Sequence, residues 1–172
     1  DYSLLKDKRP DRFYIPLILL HTGARVGEVA QLTVNDVKKE NGIWCFDIHP
    51  TEDTSVKTKS SVRLVPIHSH LIDTGFLEYY EETKRAGHVQ LFPLLKNSAN
   101  GYGSAIGKWF NNRLRKEIGI TDSKKVLYST RHTFINELKQ LDVQNHLISE
   151  IVGHAVASIT VGRYGKKLDV KA

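Results

Sequence analysis

Apolar positions near the start of the chain follow a helical pattern. The stretch RFYIPLILLHTG, residues 12–23, is largely apolar and ends at Gly23. The next stretch, RVGEVAQL, places Val26, Val29 and Ala30 on one face. Apolar residues three and four positions apart lie on the same side of a helix, and glycine commonly follows a helix end. We therefore expect two consecutive helices joined near Gly23.

A strand-rich insertion follows these helices. The stretches GIWCFDIH, residues 42–49, and VRLVPIH, residues 62–68, alternate with the period of two that is typical of strands. The positions that share a face are Trp44, Phe46 and Ile48 in the first stretch and Arg63, Val65 and Ile67 in the second. The polar segment 50–61 between them is expected to form a turn or the tip of a hairpin.

The remainder of the chain predicts further helices. Their stretches are GFLEYYEETKRAG (75–87), SAIGKWFNNRLRKEIG (104–119), STRHTFINELKQL (129–141) and NHLISEIVG (145–153). In the third, Phe134, Leu138 and Leu141 form one stripe, and Ser129 or Thr130 is available as the N-cap. The pattern predicts a mainly α-helical α+β domain with a small antiparallel sheet.

Length and composition limit the class of protein. A chain of 172 residues with 40% hydrophobic residues suits one domain with a substantial core. Its apolar runs are too short to span a bilayer, and we expect no membrane association. The single Cys45 excludes an internal disulfide framework and favours a reducing compartment, so we expect a soluble, cytoplasmic protein.

The positive charge is concentrated in the C-terminal part. Residues 108–172 hold twelve Lys or Arg against six Asp or Glu, whereas residues 1–107 hold thirteen of each. The whole excess of +6 therefore lies after residue 107. This asymmetry indicates a polyanionic partner such as nucleic acid, or a basic surface that serves solubility.

Familiar cofactor and metal motifs are absent from the sequence. GYGSAIG has the wrong glycine spacing for a dinucleotide loop, and no predicted strand precedes it. EIVGH lacks the second histidine of a zinc protease, and His68 and His70 lie at the end of a predicted strand. We therefore expect no cofactor and no metal.

The remaining candidates are cations. Arg25 lies at a helix start with Glu28 three residues on, where the carboxylate can orient the guanidinium. Arg131 lies in the first turn of a helix, where free N–H groups also favour an anion. Two rigidly held arginines can bind two oxygens of one phosphate. Taken singly, the Arg25 pair is also compatible with a surface ion pair, and Lys57 and Lys59 with solvated charges.

Four motifs in order carry a family resemblance. They are HTGARVGEVAQLTVNDV, KTKSSVRLVPIH, TRHTFINEL and LISEIVGHAVASITVGRYG. Their order and separations closely resemble the catalytic domain of the tyrosine recombinase, or phage integrase, family. The resemblance runs from about Tyr14 to Tyr164, so it covers most of the chain.

The resemblance implies a role for each matching residue. It implies that Arg25 and Arg131 bind the phosphate, that His154 donates a hydrogen bond to it, and that Tyr164 is the nucleophile. It also implies that Lys57, or Lys59 in another hairpin register, protonates the leaving 5′ oxygen. Supporting residues of the two arginine motifs are expected to be Glu28 and His132, and DNA contacts are expected from Lys59, Arg63, Arg163 and Lys166.

The sequence departs from the family pattern at two points. The family usually has a histidine three residues before the second arginine, where YSTR places Tyr128. A phenol hydrogen-bonds a phosphate but is a poor base near neutral pH. His154 precedes Tyr164 by ten residues, about one more than is common in the family, which indicates a tolerated loop insertion. Tyr128 is included among the expected catalytic residues, and it is also a less favoured alternative nucleophile.

The resemblance implies site-specific cutting and rejoining of double-stranded DNA, for integration or excision of a phage or mobile element. Alternatives are a chromosome-dimer resolvase, a type IB topoisomerase relative, or a DNA-binding relative with impaired catalysis. Family members also carry an N-terminal DNA-clamping domain, which nothing here matches, and they assemble as tetramers on DNA. We therefore expect residues 1–172 to be a catalytic domain that forms a homo-oligomer only on DNA.

Overall fold

The apolar run near the start of the chain forms the central helix. In the computed structural model, which describes residues 3–49 and 62–154, this helix is α2, Pro10–Thr22. Proline stands at its first position, where the missing N–H has no intrahelical role, and Gly23 ends it with a φ of 61° in the left-handed region. The predicted helix and its end at Gly23 are confirmed.

Seven further helices accompany α2 in the described part of the chain. Their bounds are α1 Ser3–Lys8, α3 Val26–Ala30, α4 Ser69–Asp73, α5 Phe76–Arg85, α6 Gly103–Lys116, α7 Ser129–Gln140 and α8 Asn145–Val152. The sequence analysis predicted all of them except α1 and α4, which are too short to show a clear helical period. Helix α7 starts at Ser129 with Tyr128 in the cap position, so neither Ser129 nor Thr130 is its N-cap.

The described strands form an antiparallel sheet in the order β1-β2-β3. β1 is Val37–Glu40, β2 is Ile43–Ile48 and β3 is Arg63–Pro66. Residue pairs Val37 with Phe46 and Ile48 with Arg63 set the register. β2 and β3 match the predicted strands, whereas β1, rich in Lys and Glu, was missed because three of its four residues are exposed. The predicted hairpin tip, residues 50–61, lies outside the described residues. The α+β class with a small antiparallel sheet is confirmed.

The core lies where α2, the sheet and α5 meet. Tyr14, Phe46 and Phe76 are fully buried there, and the Tyr14 and Phe76 rings meet edge to face with 5.4 Å between centroids. Helix α7 contributes far less: Phe134 and Leu138 are partly buried, and Leu141, which we expected on the same stripe, is exposed. In the described part of the chain no helix is long and apolar enough to cross a membrane.

Candidate functional site

Four element ends meet at Gly23. A Cβ placed on this residue would lie 2.6 Å from Cδ1 of Phe134 in α7 and 3.1 Å from Cγ1 of Val152 in α8. The close approach and the left-handed φ both favour glycine. As a result, the end of α2, the start of α3, the start of α7 and the end of α8 surround one small region of the surface.

Arg25 lies at the N-cap of α3 and is held by Glu28. Its Nη1 donates to Oε1 of Glu28 at 2.8 Å, and its backbone N–H donates to Oε2 at 2.8 Å. The predicted contact between these two residues is present. The Arg25 side chain keeps 42% of its surface exposed, so the guanidinium has a free outer side.

Glu28 is a buried carboxylate that accepts from two arginines. Besides Arg25, it receives Nη2 of Arg63 at 2.8 Å, and the Glu28 and Arg63 side chains are only 6% and 7% exposed. Burial opposes ionisation of Glu28, but the hydrogen bonds from Arg63 and Arg25 outweigh it and lower the pKa of this carboxyl. Glu28 is therefore ionised at neutral pH and fixes both guanidinium groups.

Arg131 is the largest fully buried side chain in the described part of the chain, with 1% exposure. Its Nη1 donates to the carbonyl oxygen of Gly23, whereas its Nε and Nη2 have no hydrogen-bond partner among the described residues. Burial, followed by the positive charge of Arg25, lowers the pKa of this guanidinium. Nε and Nη2 form one edge of the planar group, which matches two oxygens of a carboxylate or phosphate.

His154 follows directly after the end of α8. Gly153 ends that helix with a φ of 70°, and the backbone N–H of His154 donates to Ser149 at 2.9 Å. The side chain is exposed. Partial burial, then the charges of Arg131, Arg25 and Arg63, lower the pKa of His154. The neutral form of the imidazole is therefore favoured, and the ring lies within the field of the arginines.

Tyr128 stands before α7 and is 47% exposed, so it is not a core residue. Its ring meets the ring of His132, one helical turn later, edge to face with 5.3 Å between centroids. Tyr128 is close enough to Arg131 to affect the pKa of that guanidinium. His132 is exposed and contacts Tyr128, so any support that it gives to Arg131 passes through that ring.

The remaining residues that the sequence analysis assigned to the site are Arg63 and five that the structure does not describe. Those outside the described residues are Lys57, Lys59, Arg163, Tyr164 and Lys166. Arg63, from which the sequence analysis expects a DNA contact, has its guanidinium buried against Glu28, and the DNA contact itself stays a prediction. The sequence held a signal for this burial, since Arg63 alternates with Val65 and Ile67, both of which are buried.

The assembled site groups positive charge around one buried carboxylate. Arg25 and His154 lie close enough to the buried Arg131 to interact with its charge, and the described carboxylate among them, Glu28, is already paired with Arg25 and Arg63. No group of three or more His, Cys, Asp or Glu suited to a metal ion occurs among the described residues. The arrangement is suited to holding an oxyanion and to stabilising added negative charge on it.

Comparisons with known proteins identify the family of the chain. A model described as "Phage integrase family" matches residues 5–170. The chain is 26% identical to the transposase from transposon Tn916 of Enterococcus faecalis and to that from Tn1545 of Streptococcus pneumoniae, each match covering 86% of this chain and 40% of the relative. The chain thus spans less than half the length of these curated relatives.

Solved structures show the same fold. The XerH site-specific recombinase bound to difH substrate aligns with a TM-score of 0.62 and 23% identity, covering 99% of this chain and 48% of that one. The Tn1549 transposon integrase in complex with transposon right end DNA aligns with a TM-score of 0.60 and 23% identity, covering 96% and 58%.

Proposed function

Because the chain belongs to the phage integrase family of tyrosine recombinases, we propose that it breaks and rejoins DNA strands at specific sites through a 3′-phosphotyrosyl intermediate. The proposed role is integration or excision of a mobile element, since the curated relatives are transposon proteins. A chromosome-dimer resolvase would use the same residues, and the Xer-type fold is compatible with it.

One observation carries this proposal: the unpartnered edge of the buried Arg131 guanidinium. A buried N–H of a charged group without a partner is unfavourable by about 1–3 kcal/mol or more. Such a group is retained where a ligand supplies the missing acceptors. The Arg131 guanidinium lies close enough to Arg25 and His154 for their charges to interact, and its two adjacent donors fit two oxygens of a phosphodiester.

The reaction follows from these residues. The phenolic oxygen of Tyr164 attacks the scissile phosphorus, the bond from phosphorus to the 5′ oxygen breaks, and the 3′ phosphate becomes joined to Tyr164. Arg25 and Arg131 stabilise the extra negative charge of the pentacoordinate transition state. His154 donates a hydrogen bond to a phosphate oxygen, and Lys57, or Lys59, delivers a proton to the leaving 5′ oxygen.

Tyr128 and the reverse step complete the cycle. From its place before α7, Tyr128 donates a hydrogen bond to the phosphate or to the nucleophile Tyr164. A 5′ hydroxyl then attacks the phosphotyrosyl bond, regenerates the phenol and reseals the strand. The bond energy is conserved in the aryl phosphodiester, so the reaction requires no ATP.

Binding to DNA depends on further cations outside the site. Lys59, Arg163 and Lys166 are proposed phosphate contacts, in line with the positive excess after residue 107. The proposed homo-tetramer forms only on DNA. The proposed setting is the cytoplasm.

The test is covalent trapping on a nicked suicide substrate, from which the short 5′ fragment diffuses away after cleavage. The chain should form a protease-sensitive adduct with DNA, and Tyr164→Phe should form none while binding the same DNA with nearly equal affinity. Tyr128→Phe is the matched control, because it also removes one phenolic oxygen at the site. An adduct that persists in Tyr164→Phe and disappears in Tyr128→Phe would identify Tyr128 as the nucleophile. No adduct with any variant would favour a DNA-binding protein with impaired catalysis.

A further inference from the structure

The Arg63 guanidinium joins three elements at the back of the site. Arg63 begins β3, its Nη2 donates to Oε2 of Glu28 in α3 at 2.8 Å, and its Nε donates to the carbonyl oxygen of Ile151 in α8 at 2.8 Å. Nη1 lies 3.5 Å from the second oxygen of Glu28. The Nη1 and Nη2 donors of the planar guanidinium face Glu28, and Nε faces Ile151, so one side chain fixes β3, α3 and α8 relative to one another.

The same guanidinium also lies against the residue before His154. A Cβ on Gly153 would lie 2.5 Å from Nη1 and 2.8 Å from Cζ of Arg63. Contact this close leaves no space for a side chain at the end of α8. Arg63 thus packs directly against the residue that precedes His154.

Glu28 links Arg63 to Arg25, because its carboxylate accepts hydrogen bonds from both guanidinium groups. Its Oε1 accepts from Nη1 of Arg25 at 2.8 Å, while its Oε2 accepts from Arg63. A shift of Arg63 would thus move a phosphate-binding arginine and a histidine together. Arg63 also comes soon after segment 50–61, which carries Lys57 and Lys59.

We propose that Arg63 is a positioning residue for strand cleavage, which holds Arg25 through Glu28 and His154 through the end of α8 in one geometry. The inference rests on the proposed function for the reaction that it serves. A buried ion pair contributes little net stability compared with apolar residues of similar size. Small displacements of groups that bind a reacting phosphate, in contrast, reduce rates strongly.

The first test is Arg63→Lys, which keeps the charge but replaces two donor edges with one ammonium. We expect the single-turnover cleavage rate at saturating DNA to fall by about tenfold to a hundredfold, with DNA affinity unchanged within about twofold. Chemical denaturation of each variant gives the folded fraction at the assay temperature. A fall in rate no larger than the loss of folded protein would show a merely structural role. Weakened affinity with an unchanged rate at saturation would show a DNA contact. Either result overturns the proposal.

The second test approaches the same contact from Gly153. Gly153→Ala should reproduce the rate loss of Arg63→Lys, because its Cβ would displace the guanidinium. The matched control is Gly42→Ala in the turn before β2, where φ is also positive at 84° and a Cβ would meet nothing within 4 Å. Both changes strain the backbone alike, so equal rate losses in the two variants would refute the proposal. The double variant of Arg63 and Gly153 should lose no more than the larger single change.

A readout without cleavage separates this proposal from the proposed function. The imidazole NMR signals of His154 and their titration midpoint should change in Arg63→Lys and Gly153→Ala and stay constant in Gly42→Ala. Unchanged signals in the first two variants would contradict the positioning role even if the chain formed no covalent adduct. Changed signals without any adduct would support the network and count against the proposed reaction.

Discussion

Two regions of the molecule are held together differently: the first half, which contains α2, the sheet and α5, and the second half, which contains α7 and α8. In the first half, α2, β2 and α5 bury large aromatic rings, such as Tyr14 and Phe76, whose centroids lie 5.4 Å apart. In α7, all of whose residues the structure describes, the one buried side chain is Arg131. The buried side chain of α7 is thus a charged guanidinium, whereas those of the first half are mainly apolar, large rings among them.

This difference indicates how the residues of the candidate site are attached to the rest of the molecule. Helix α7 is joined to the first half by the bond from Arg131 to the Gly23 carbonyl, and α8 by the bond from Arg63 to Ile151 together with the buried side chains of Ile148 and Val152. Phe134 adds a partly buried contact at Gly23. Core substitutions in the first half should therefore change stability, whereas substitutions among these polar contacts should change chemistry more than stability.

The largest expected effect is on the aromatic core. Phe76→Ala should lower the free energy of unfolding by about 3–5 kcal/mol, because it leaves a cavity among fully buried rings. Phe134→Ala, the matched change in α7, should lower it by about 1 kcal/mol, since the ring is only partly buried. Urea unfolding of both variants measures the difference. Equal losses would show that the two halves share one type of core.

Arg131→Met should reduce cleavage strongly and change stability little, the reverse of the pattern expected for Phe76→Ala. The Met side chain has a similar length without charge, so cleavage should fall by about a hundredfold to a thousandfold while the free energy of unfolding changes by less than about 1 kcal/mol. Single-turnover cleavage and urea unfolding of one preparation give both numbers. A large loss of stability with proportionate loss of cleavage would mean that Arg131 serves mainly to hold α7.

Tyr128 provides a gain-of-function test. Tyr128→His places an imidazole beside Arg131 that accepts a proton near neutral pH, so the cleavage rate should rise by about ten- to a hundredfold. Tyr128→Phe should cost little, since it removes one hydrogen bond. The three proteins are compared by single-turnover cleavage of one nicked substrate. A His variant slower than the parent would contradict this assignment.

The smallest expected effect is on the titration of His154. Partial burial and the charges of Arg131, Arg25 and Arg63 lower the pKa of His154, so its NMR midpoint should lie below that of an unfolded peptide. Arg131→Met removes one of these positive charges and should raise the midpoint. His146, near the start of α8, provides the internal control. An unchanged His154 midpoint in Arg131→Met would place the imidazole away from Arg131.

The sequence predicted the helices with long apolar stripes and both strands that alternate. It missed α1, α4 and β1, because a short or largely exposed element leaves little periodic signal. The predicted contact between Arg25 and Glu28 could be found because both residues lie on one helical turn. The contacts from Arg63 to Glu28 and Ile151 join residues far apart in the sequence, and only the fold brings them together.

The contact proposed between the free edge of Arg131 and the scissile phosphate is tested most directly by comparing two substrates. The ratio of wild-type to Arg131→Met cleavage rates is determined on a phosphodiester and on a methylphosphonate, which has no negative charge at the scissile position. We predict that the ratio of about a hundred or more on the phosphodiester falls below about ten on the neutral linkage, because the charge that Arg131 balances has been removed. An equal ratio on both substrates would contradict a direct contact between Arg131 and the scissile phosphate.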